Sequence, residues 1–306
     1  MMVALPFYYC FGTSLLHTHL RVGGRLVLCN SFVYPQVALD LMEAEQCTGF
    51  AGVPSMYQTL LRNSAFPRRA FPHLRKIQQA GGKLPSVLIQ ELVDTLPDAE
   101  IYIMYGQTEA TARLSYLLPS LLETKLGSVG RGIPGVELRV LEKSGKEVAP
   151  GEVGEIYARG DNVSPGYYKN PEATVGKFVD GLLRTGDLAT VDEDGFIYIV
   201  DRTADFIKSQ GYRVSSQQVE EAILHLPDVV AAAVIGEPDL ALGEAIIAYA
   251  VIRAGSELSP EDVHAHCRQH LPRYMWPKDV LFLDSLPKSA QGKIVKSVLR
   301  EQRQSE

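Results

Sequence analysis

The sequence predicts an α/β fold with three parts: a parallel β-sheet covered by helices, a small β-barrel, and a small α+β domain at the C-terminal end. Strand-like and helix-like runs alternate from Arg25 to Met104, glycines punctuate short alternating runs after Gly127, and both patterns mix after Asp201. Strands that alternate with helices are typical of parallel sheets, and short glycine-bounded strands are typical of barrels or sandwiches. At 306 residues the chain is long enough for these domains, which we place at residues 1–126, 127–201 and 202–306.

The first part contains the repeating units of the parallel sheet. Its strands are residues 26–28, 49–53, 76–80 and 101–103, and its helices begin at Pro35, Pro54 and Leu84. The carboxyl ends of parallel strands meet at one edge of the sheet, which is where such sheets bind ligands. Gly81, Gly82 and residues 105–109 fall at this edge. Nearer the N-terminus, His17 and His19 alternate along a run that we interpret as strand-like.

The second and third parts differ from the first in their sequence patterns. Glycines and prolines separate short alternating runs as far as residue 200, which predicts the β-barrel. Beyond it, Ser215 and Gln218 predict a capping box for a helix over residues 217–226, and Ser259 precedes a second helix that ends before Pro272. The predicted strands of this last part are residues 229–235, 246–252 and 280–283.

Composition narrows the class of protein. The formal charge of −6, from 30 basic and 36 acidic side chains, disfavours nucleic acid as the main partner. The four cysteines form no CxxC pair and no disulfide framework, which predicts a reducing cytoplasm. No apolar run approaches the length of a membrane span. The first twenty residues lack a basic lead and are interrupted by Pro6 and Gly12, so they do not resemble a signal peptide.

The most informative segment follows the strand at residues 101–103. Here Gly106 frees the backbone to turn, and Thr108 and Glu109 present a hydroxyl beside a carboxylate. A hydroxyl can donate to a phosphate oxygen, and a carboxylate binds a hard cation such as Mg²⁺. The segment therefore predicts a site for the charged end of a nucleotide.

Further glycine- and charge-marked segments accompany it in a specific order. They are Leu5 to Gly12, Ala80-Gly81-Gly82, Tyr105 to Glu109, Gly154-Glu155-Ile156, Gly166-Tyr167-Tyr168, Arg184 to Leu188, Asp194-Gly195-Phe196, Asp201-Arg202, Ile207 to Val214 and Pro287 to Lys293. In order and spacing the series resembles the superfamily of adenylate-forming enzymes, which comprises acyl- and aryl-CoA synthetases, peptide-synthetase adenylation domains and luciferases. The resemblance extends over essentially the whole chain.

The resemblance implies an AMP-forming acid–thiol ligase, of the kind found in fatty acid metabolism. Such enzymes join a carboxylic acid to ATP with the help of Mg²⁺, release pyrophosphate and form acyl-AMP. The acyl group then passes to the thiol of CoA or to the phosphopantetheine of an acyl carrier protein. The small C-terminal domain is mobile in this family and rotates between the two half-reactions.

The same resemblance assigns roles to residues of the nucleotide site. Tyr105 should stack on adenine beside Gly81 and Gly82, and Gly106 and Gln107 should complete the nucleotide loop. The polar ligands follow: Thr108 for the α-phosphate, Glu109 for Mg²⁺, Asp187 for the ribose hydroxyls and Arg202 for the ribose or phosphate.

It also assigns the remaining parts of the reaction. Lys293 resembles the mobile lysine of adenylation, where a cation is needed because a carboxylate must approach a negatively charged phosphate. Lys208 and Gly211 should lie near the incoming thiol. Tyr8, Tyr9 and Val53 are candidates for the acid pocket, although the two tyrosines fit a role as core aromatics equally well.

Two departures from the family pattern leave alternatives open. The glycine-, serine- and threonine-rich phosphate loop is absent, which leaves the N-terminal domain truncated and the β- and γ-phosphates without their usual cradle. At the hinge, Ala204 stands where relatives place an acid or a lysine. The chain could therefore be an enzyme, a truncated non-catalytic nucleotide-binding module, or one half of a split enzyme. Residues 7–14 contain no aspartate, which favours an acid without an α-amine.

Overall fold

The structure is a computed structural model that describes residues 1–30 and 32–304. Its helices are α1 Cys10–Arg21, α2 Pro35–Ala44, α3 Pro54–Arg62, α4 Ser86–Thr95, α5 Pro171–Lys177, α6 Ser216–Leu224, α7 Pro260–His270 and α8 Lys296–Gln304. Its strands are β1 Met2–Val3, β2 Val27–Leu28, β3 Gly49–Gly52, β4 Lys76–Gln79, β5 Glu100–Tyr105, β6 Ser115–Leu117, β7 Arg131–Gly132, β8 Val136–Leu141, β9 Gly154–Gly160, β10 Phe178–Val179, β11 Leu182–Val191, β12 Ile197–Arg202, β13 Ile207–Ser209, β14 Tyr212–Val214, β15 Val229–Asp239, β16 Gly243–Ile252 and β17 Asp279–Phe282.

The chain packs into two compact units. Unit 1 contains Met1–Pro54, Arg68–Leu84 and Leu92–Val200. Unit 2 contains Ser55–Pro67, Pro85–Glu91 and the described chain from Asp201 onward. The three-part division at residues 126 and 201 stays a prediction. Among the described residues, none of the helices has both the length and the apolar character needed to cross a bilayer.

Unit 1 is built on a seven-stranded sheet with the order β2-β1-β3-β4-β5-β6-β7. The strands from β1 to β5 are parallel, and β6 and β7 add an antiparallel edge. Each of the strands β1 to β4 is followed along the chain by a helix, from α1 after β1 to α4 after β4. The predicted alternation of strands and helices is therefore confirmed, as is the α/β fold class.

The register of the parallel strands aligns their carboxyl ends. Val3 pairs with Ala51, Gly52 pairs with Gln79, and Gln79 in turn lies beside Ile103. Because these strand ends are in register, the segments that follow β1, β3, β4 and β5 leave the sheet at the same edge.

The interpretation of residues around His17 and His19 as strand-like is wrong, because these residues lie in α1. Phe11 and Leu15 are buried and four positions apart, which is the spacing of a helix. The Thr18 hydroxyl donates to the Ser14 carbonyl four residues earlier at 2.8 Å, a bond typical of Ser and Thr side chains in helices. The alternation of the two histidines carried less information than this apolar spacing.

The second sheet of unit 1 is antiparallel. It has the order β10-β11-β9-β8, with β12 paired to β11. The buried side chains of Ala158 and Leu183 pack with Ala110 and Leu114, which follow β5. This cluster joins the second sheet to the segment after β5. The glycine-punctuated region is mainly β as predicted, but it also contains the short helix α5, which the sequence analysis did not predict.

Unit 2 contains a sheet with the order β14-β13-β16-β15, with β17 parallel to β16. Ser215 caps α6, since its side chain accepts from the Gln218 backbone N–H at 3.3 Å, which is one half of the predicted capping box. A full capping box of Ser259 and Asp262 starts α7. The predicted strands and helices of this α+β region are confirmed, with longer strands β15 and β16 than expected.

A buried arginine ties the segment from Ser55 to Pro67 into unit 2. Arg62 is only 4% exposed and forms an ion pair of 2.5 Å with Glu91. Its guanidinium also donates to the carbonyls of Leu226, at 3.2 Å, and Val229, at 2.5 Å. Burial of this charge is compensated because carboxylate and carbonyl oxygens surround it.

The substitution Gly12→Ala tests the packing of α1, because a Cβ atom at residue 12 would lie 2.2 Å from the Pro6 carbonyl oxygen. We expect Gly12→Ala to lower the free energy of unfolding of unit 1 by about 1–3 kcal/mol, the usual cost of overpacking. Gly176→Ala in α5 is the matched control, since beyond its chain neighbours and its own helix backbone no described atom lies within 4 Å of the place that its Cβ would take. That variant should be neutral or gain up to about 1 kcal/mol from helix propensity. Urea unfolding measures both, and equal behaviour of the two variants would contradict this account.

Candidate active site

The segment that follows β5 makes a tight, well-anchored loop. Tyr105 is the last residue of β5, and Thr108–Ala110 form a single 3₁₀ turn. Gly106 is required there, because a Cβ atom would lie 2.4 Å from the Ala112 carbonyl oxygen. The returning chain is bonded to the loop, since the Leu114 N–H donates to the Tyr105 carbonyl at 2.8 Å. We call residues 105–109 the β5 loop.

The polar side chains of the β5 loop differ in exposure, since Thr108 is exposed and Glu109 is partly buried. The Thr108 hydroxyl lies 3.7 Å from the Cys10 Sγ at the start of α1. That contact brings the β5 loop beside the segment from Leu5 to Gly12, which follows β1, although β3 and β4 lie between β1 and β5 in the sheet. The Glu109 backbone carbonyl accepts from the Ser164 N–H at 2.7 Å, which fixes the backbone behind the carboxylate.

Asp187 reaches the same region from a bulge in β11. The pairing of β11 with β9 shifts register between Arg184 and Leu188, and Gly186 within the bulge has a φ of +81°. The Thr185 hydroxyl donates to the Ile156 carbonyl at 2.7 Å and accepts from the Asp187 N–H at 3.2 Å. Bulges of this kind re-aim a side chain, and here the side chain is the carboxylate of Asp187.

Glu155 holds the bulge from the neighbouring strand. Its carboxylate accepts from the Arg184 guanidinium at 2.8–2.9 Å and from the Gly186 N–H at 3.1 Å. The Glu155 contacts raise the pKa of Arg184, mainly through this side-chain hydrogen bond. The segments Gly154-Glu155-Ile156 and Arg184 to Leu188 therefore act as one structural piece.

A direct hydrogen bond joins the β5 loop to the bulge. The Tyr105 hydroxyl donates to Oδ2 of Asp187 at 2.7 Å, across 82 residues of sequence. Asp187 is only 6% exposed, so this contact orients a largely buried carboxylate. The two predicted nucleotide ligands are thus brought together within unit 1.

The glycines after β4 occupy the adjoining strand end. Gly81 has a φ of +90°, and a Cβ atom on Gly82 would lie 3.3 Å from the Pro54 ring. The Gln79 side chain donates to the Gly82 carbonyl at 2.7 Å and holds this turn. Val53, at the end of β3, is fully buried.

The two tyrosines proposed for the acid pocket differ in environment. Tyr8 is 74% exposed, so it is not a core aromatic. The Tyr9 ring packs edge-on against Phe11 at 6.4 Å, and burial raises the pKa of Tyr9 to about 12. Both residues immediately precede α1, beside the cysteine that contacts Thr108.

These residues fit the charged end of a nucleotide and a divalent cation. The side-chain amide nitrogen of Gln107 is buried with no hydrogen-bond acceptor among the described residues, so a donor is available inside the β5 loop. Thr108 offers an exposed hydroxyl and Glu109 a hard carboxylate oxygen, which are the groups that phosphate and Mg²⁺ prefer.

Unit 2 carries the predicted adenylation lysine on a small hairpin. Lys288 and Ile294 form a β-bridge, and the Ser289 N–H donates to the Lys293 carbonyl at 2.8 Å. Gly292 turns the chain with a φ of +80°, and its carbonyl accepts from the Ser55 hydroxyl at 2.5 Å.

The helix after the hairpin is fixed by buried charges. The Lys296 ammonium pairs with Glu220 at 2.7 Å and donates to the Ser216 hydroxyl at 2.7 Å. Ser216 in turn donates to Asp201, which is fully buried. Burial raises the pKa of Glu220. This network anchors the start of α8, three residues beyond Lys293.

The other predicted residues of unit 2 lie on its strands. Arg202 is the last residue of β12, and its N–H donates to the Asp201 carboxylate at 2.7 Å. Lys208 is exposed on β13, and Gly211, with a φ of +80°, forms the turn to β14.

Sequence reasoning missed two residues of unit 1. Glu155 and Tyr167 both contact predicted site segments, yet neither received a role from the sequence. Each lies in a glycine-marked segment of the family series, Gly154-Glu155-Ile156 or Gly166-Tyr167-Tyr168. The sequence therefore marked the segment but did not indicate which of its residues contacts the site.

Comparison with known proteins identifies the class. The family model described as AMP-binding enzyme matches residues 1–168, and the model described as AMP-binding enzyme C-terminal domain matches residues 218–293. The chain therefore belongs to the AMP-binding enzyme family, as the motifs predicted.

Individual relatives agree with this assignment. The chain is 35% identical over 304 residues to a long-chain-fatty-acid–CoA ligase of Yersinia pestis, covering 99% of this chain and 53% of the relative. Among solved structures it matches the Bacillus subtilis o-succinylbenzoate CoA synthetase bound to ATP and magnesium ion, with a TM-score of 0.82, 30% identity and coverage of 98% and 60%. It also matches the amide bond synthetase of Marinactinospora thermotolerans, with a TM-score of 0.88, 32% identity and coverage of 99% and 61%. The chain thus spans about half the length of the curated relatives it matches.

The substitution Thr185→Val tests whether the Thr185 hydroxyl stabilises the bulge that carries Asp187. Thr185→Val keeps the shape of the side chain but removes the hydroxyl that bonds Ile156 and Asp187. We expect a loss of about 1–3 kcal/mol in the free energy of unfolding, because buried polar groups lose their partner. Thr124→Val is the control, since its hydroxyl is exposed and its change should stay within about 0.5 kcal/mol. Urea unfolding of both variants measures the difference, and equal losses would argue against a structural role for the bulge.

Proposed function

We propose that this chain binds ATP with Mg²⁺ and activates a carboxylic acid as acyl-AMP, which is then transferred to a thiol. The observation that carries the proposal is the hydrogen bond from Tyr105 to Asp187, at 2.7 Å. It joins the β5 loop to the β11 bulge, so that groups suited to adenine, ribose and phosphate converge in unit 1.

Each part of the nucleotide has a candidate partner. Tyr105 offers an aromatic face for adenine, and Gly81 and Gly82 leave room beside it. Asp187 is proposed to accept from the ribose hydroxyls, a role supported by the Tyr105 bond to its carboxylate and by the Thr185 bond to its backbone N–H. The exposed Thr108 hydroxyl and the buried Gln107 amide are proposed to donate to the α-phosphate. Arg202 is proposed as a further contact to ribose or phosphate.

Glu109 is the proposed ligand of Mg²⁺. The bound ion would neutralise phosphate charge and so ease the approach of a carboxylate. The chain's own contribution is the orientation of the Glu109 carboxylate, whose backbone is fixed by the bond from Ser164.

Lys293 is the proposed cation of the first half-reaction. The carboxylate and the phosphate that react are both negative, so a cation between them stabilises the charge that develops. In other enzymes one preorganised donor at such a position is worth about 3–4 kcal/mol. Support comes from the hairpin, which is closed by a backbone bond between Ser289 and Lys293 and followed by a helix fixed by buried charges.

The acceptor is proposed to be the thiol of CoA or of a carrier-bound phosphopantetheine on an acyl carrier protein. The Yersinia relative is named as a CoA ligase, whereas the Marinactinospora relative is named as an amide bond synthetase. Lys208 and the turn at Gly211 are proposed to contact the incoming thiol. The acid is proposed to be an acyl or aryl acid without an α-amine, held near Tyr8, Tyr9 and Val53.

The setting of the reaction is also a proposal. We infer three regions, 1–126, 127–201 and 202–306, with a hinge near Ala204 that acts through its backbone. A reducing cytoplasm is proposed as the location, because all four cysteines lie in the described part of the chain and none of them forms a disulfide.

A second candidate function rests on the coverage of the relatives. Because the chain spans 53% to 61% of the three relatives described above, it could bind nucleotide without catalysing adenylation, or supply one half of a split enzyme. Binding of nucleotide without pyrophosphate exchange would favour this candidate.

ATP–pyrophosphate exchange with pooled carboxylic acids tests the leading proposal. We expect exchange that depends on an acid and falls by about 100-fold or more in Lys293→Ala, the usual effect of one lost transition-state donor. Lys143→Ala is the control, because Lys143 is exposed in a turn of unit 1. No exchange by the folded chain, followed by exchange when a phosphate-loop segment of a relative is supplied, would favour the split enzyme. Continued absence of exchange would overturn the catalytic proposal.

A further inference from the structure

The segment around Gly166 contacts the β5 loop at the residue proposed to hold Mg²⁺. The Tyr167 hydroxyl donates to Oε1 of Glu109 at 2.5 Å, across 58 residues of sequence. The same segment bonds the backbone of Glu109, since the Ser164 N–H donates to its carbonyl at 2.7 Å. Glu109 is therefore held at both its main chain and its carboxylate by one short stretch of chain.

Tyr167 itself is held firmly in place. Its N–H donates to the Thr174 hydroxyl at 2.9 Å, and its ring packs edge-on against Phe178 at 5.8 Å. Thr174 donates to the Asn170 carbonyl at 2.7 Å, and the Asn170 side chain caps α5 through the Ala173 N–H. Tyr167 lies three residues before the N-cap of α5, and these contacts join it to that helix and to β10.

The same segment is also bonded to the β11 bulge. Lys177, at the end of α5, donates to the Thr185 carbonyl at 2.9 Å. Gly166 is needed at the start of the segment, because a Cβ atom there would lie 2.5 Å from the Thr174 methyl group. One element therefore supports both carboxylates of the proposed site, Glu109 through Tyr167 and Asp187 through the bulge.

We propose that Tyr167 is the positioning residue for the metal-binding carboxylate of Glu109, an inference that rests on the proposed function. The hydroxyl bonds one carboxylate oxygen and fixes the rotation of the carboxylate, so that the second oxygen is directed to the cation. A hydrogen bond to an ionised acceptor is short and strong, which suits this role. The side chain that orients a ligand contributes to metal affinity without touching the metal.

Its neighbour provides a matched comparison. Tyr168 has the same side chain one position further on, but it is 88% exposed, and its ring lies under the Lys169 ammonium at 5.2 Å. Tyr167→Phe removes only the hydroxyl and keeps the ring against Phe178, while Tyr168→Phe makes the same chemical change away from Glu109.

The test is calorimetric titration of the full chain with α,β-methylene-ATP, once with saturating Mg²⁺ and once with EDTA. We expect Tyr167→Phe to lose about 10-fold in affinity with Mg²⁺, at the lower end of the range for residues that orient a metal ligand. Its affinity in EDTA should equal that of the wild type, because the hydroxyl acts only through the metal ligand. Tyr168→Phe should match the wild type under both conditions.

A double variant sharpens the assignment. Glu109→Gln should lose the effect of Mg²⁺, and adding Tyr167→Phe should cause no further loss, because the hydroxyl acts through Glu109. Equal losses with Mg²⁺ and with EDTA in Tyr167→Phe would overturn the inference in favour of a general structural role. An unchanged or greater effect of Mg²⁺ in that variant would overturn it as well. If the wild type binds no nucleotide, the proposed function itself fails, and the inference fails with it.

Discussion

The shared register of the parallel strands is the constraint on which the rest of unit 1 depends. Because β1, β3, β4 and β5 end in register, the segments that leave them emerge at one edge of the sheet. This places α1, the glycines after β4 and the β5 loop next to one another without any need for long connections. A shift by one residue would reverse the side of every strand side chain and scatter these groups.

The second sheet and the segments joined to it supply side chains that contact the β5 loop of the first sheet. Its bulge in β11 directs Asp187 toward Tyr105, and the segment that leads into α5 supports Glu109 through the Tyr167 hydroxyl. The apolar cluster of Ala110, Leu114, Ala158 and Leu183 packs the two sheets together. The carboxylates of Asp187 and Glu109 each accept a hydrogen bond from a tyrosine hydroxyl. Such preorganisation is worth most where charge must be stabilised, because the groups need no rearrangement when the ligand binds.

Unit 2 pairs several largely buried charged side chains with one another and with backbone carbonyls. Lys296, Glu220, Ser216 and Asp201 form a buried network around the start of α8, and Arg62 is compensated by Glu91 and two carbonyls. Buried pairs of this kind contribute little net stability but make alternative packings costly, because each unpaired charge would be left inside. The hairpin that carries Lys293 is thus followed by a helix whose first residue is bonded to Glu220 and Ser216 of α6.

The sequence by itself determined the local features of this protein. Strand and helix periods, helix caps at Ser215 and Ser259, and the glycines of the β5 loop are readable from neighbouring residues, because backbone sterics and short-range hydrogen bonds decide them. The order of the motifs also sufficed to predict the family and most of the proposed site.

Only the tertiary structure decided which side chains meet. The bonds from Tyr105 to Asp187 and from Tyr167 to Glu109 join residues 82 and 58 positions apart. No local pattern encodes them, since they arise from sheet register and from a bulge. The run around His17 and His19 is a different case, because the four-residue spacing of Phe11 and Leu15 is itself a local signal for a helix and outweighs the alternation of the histidines.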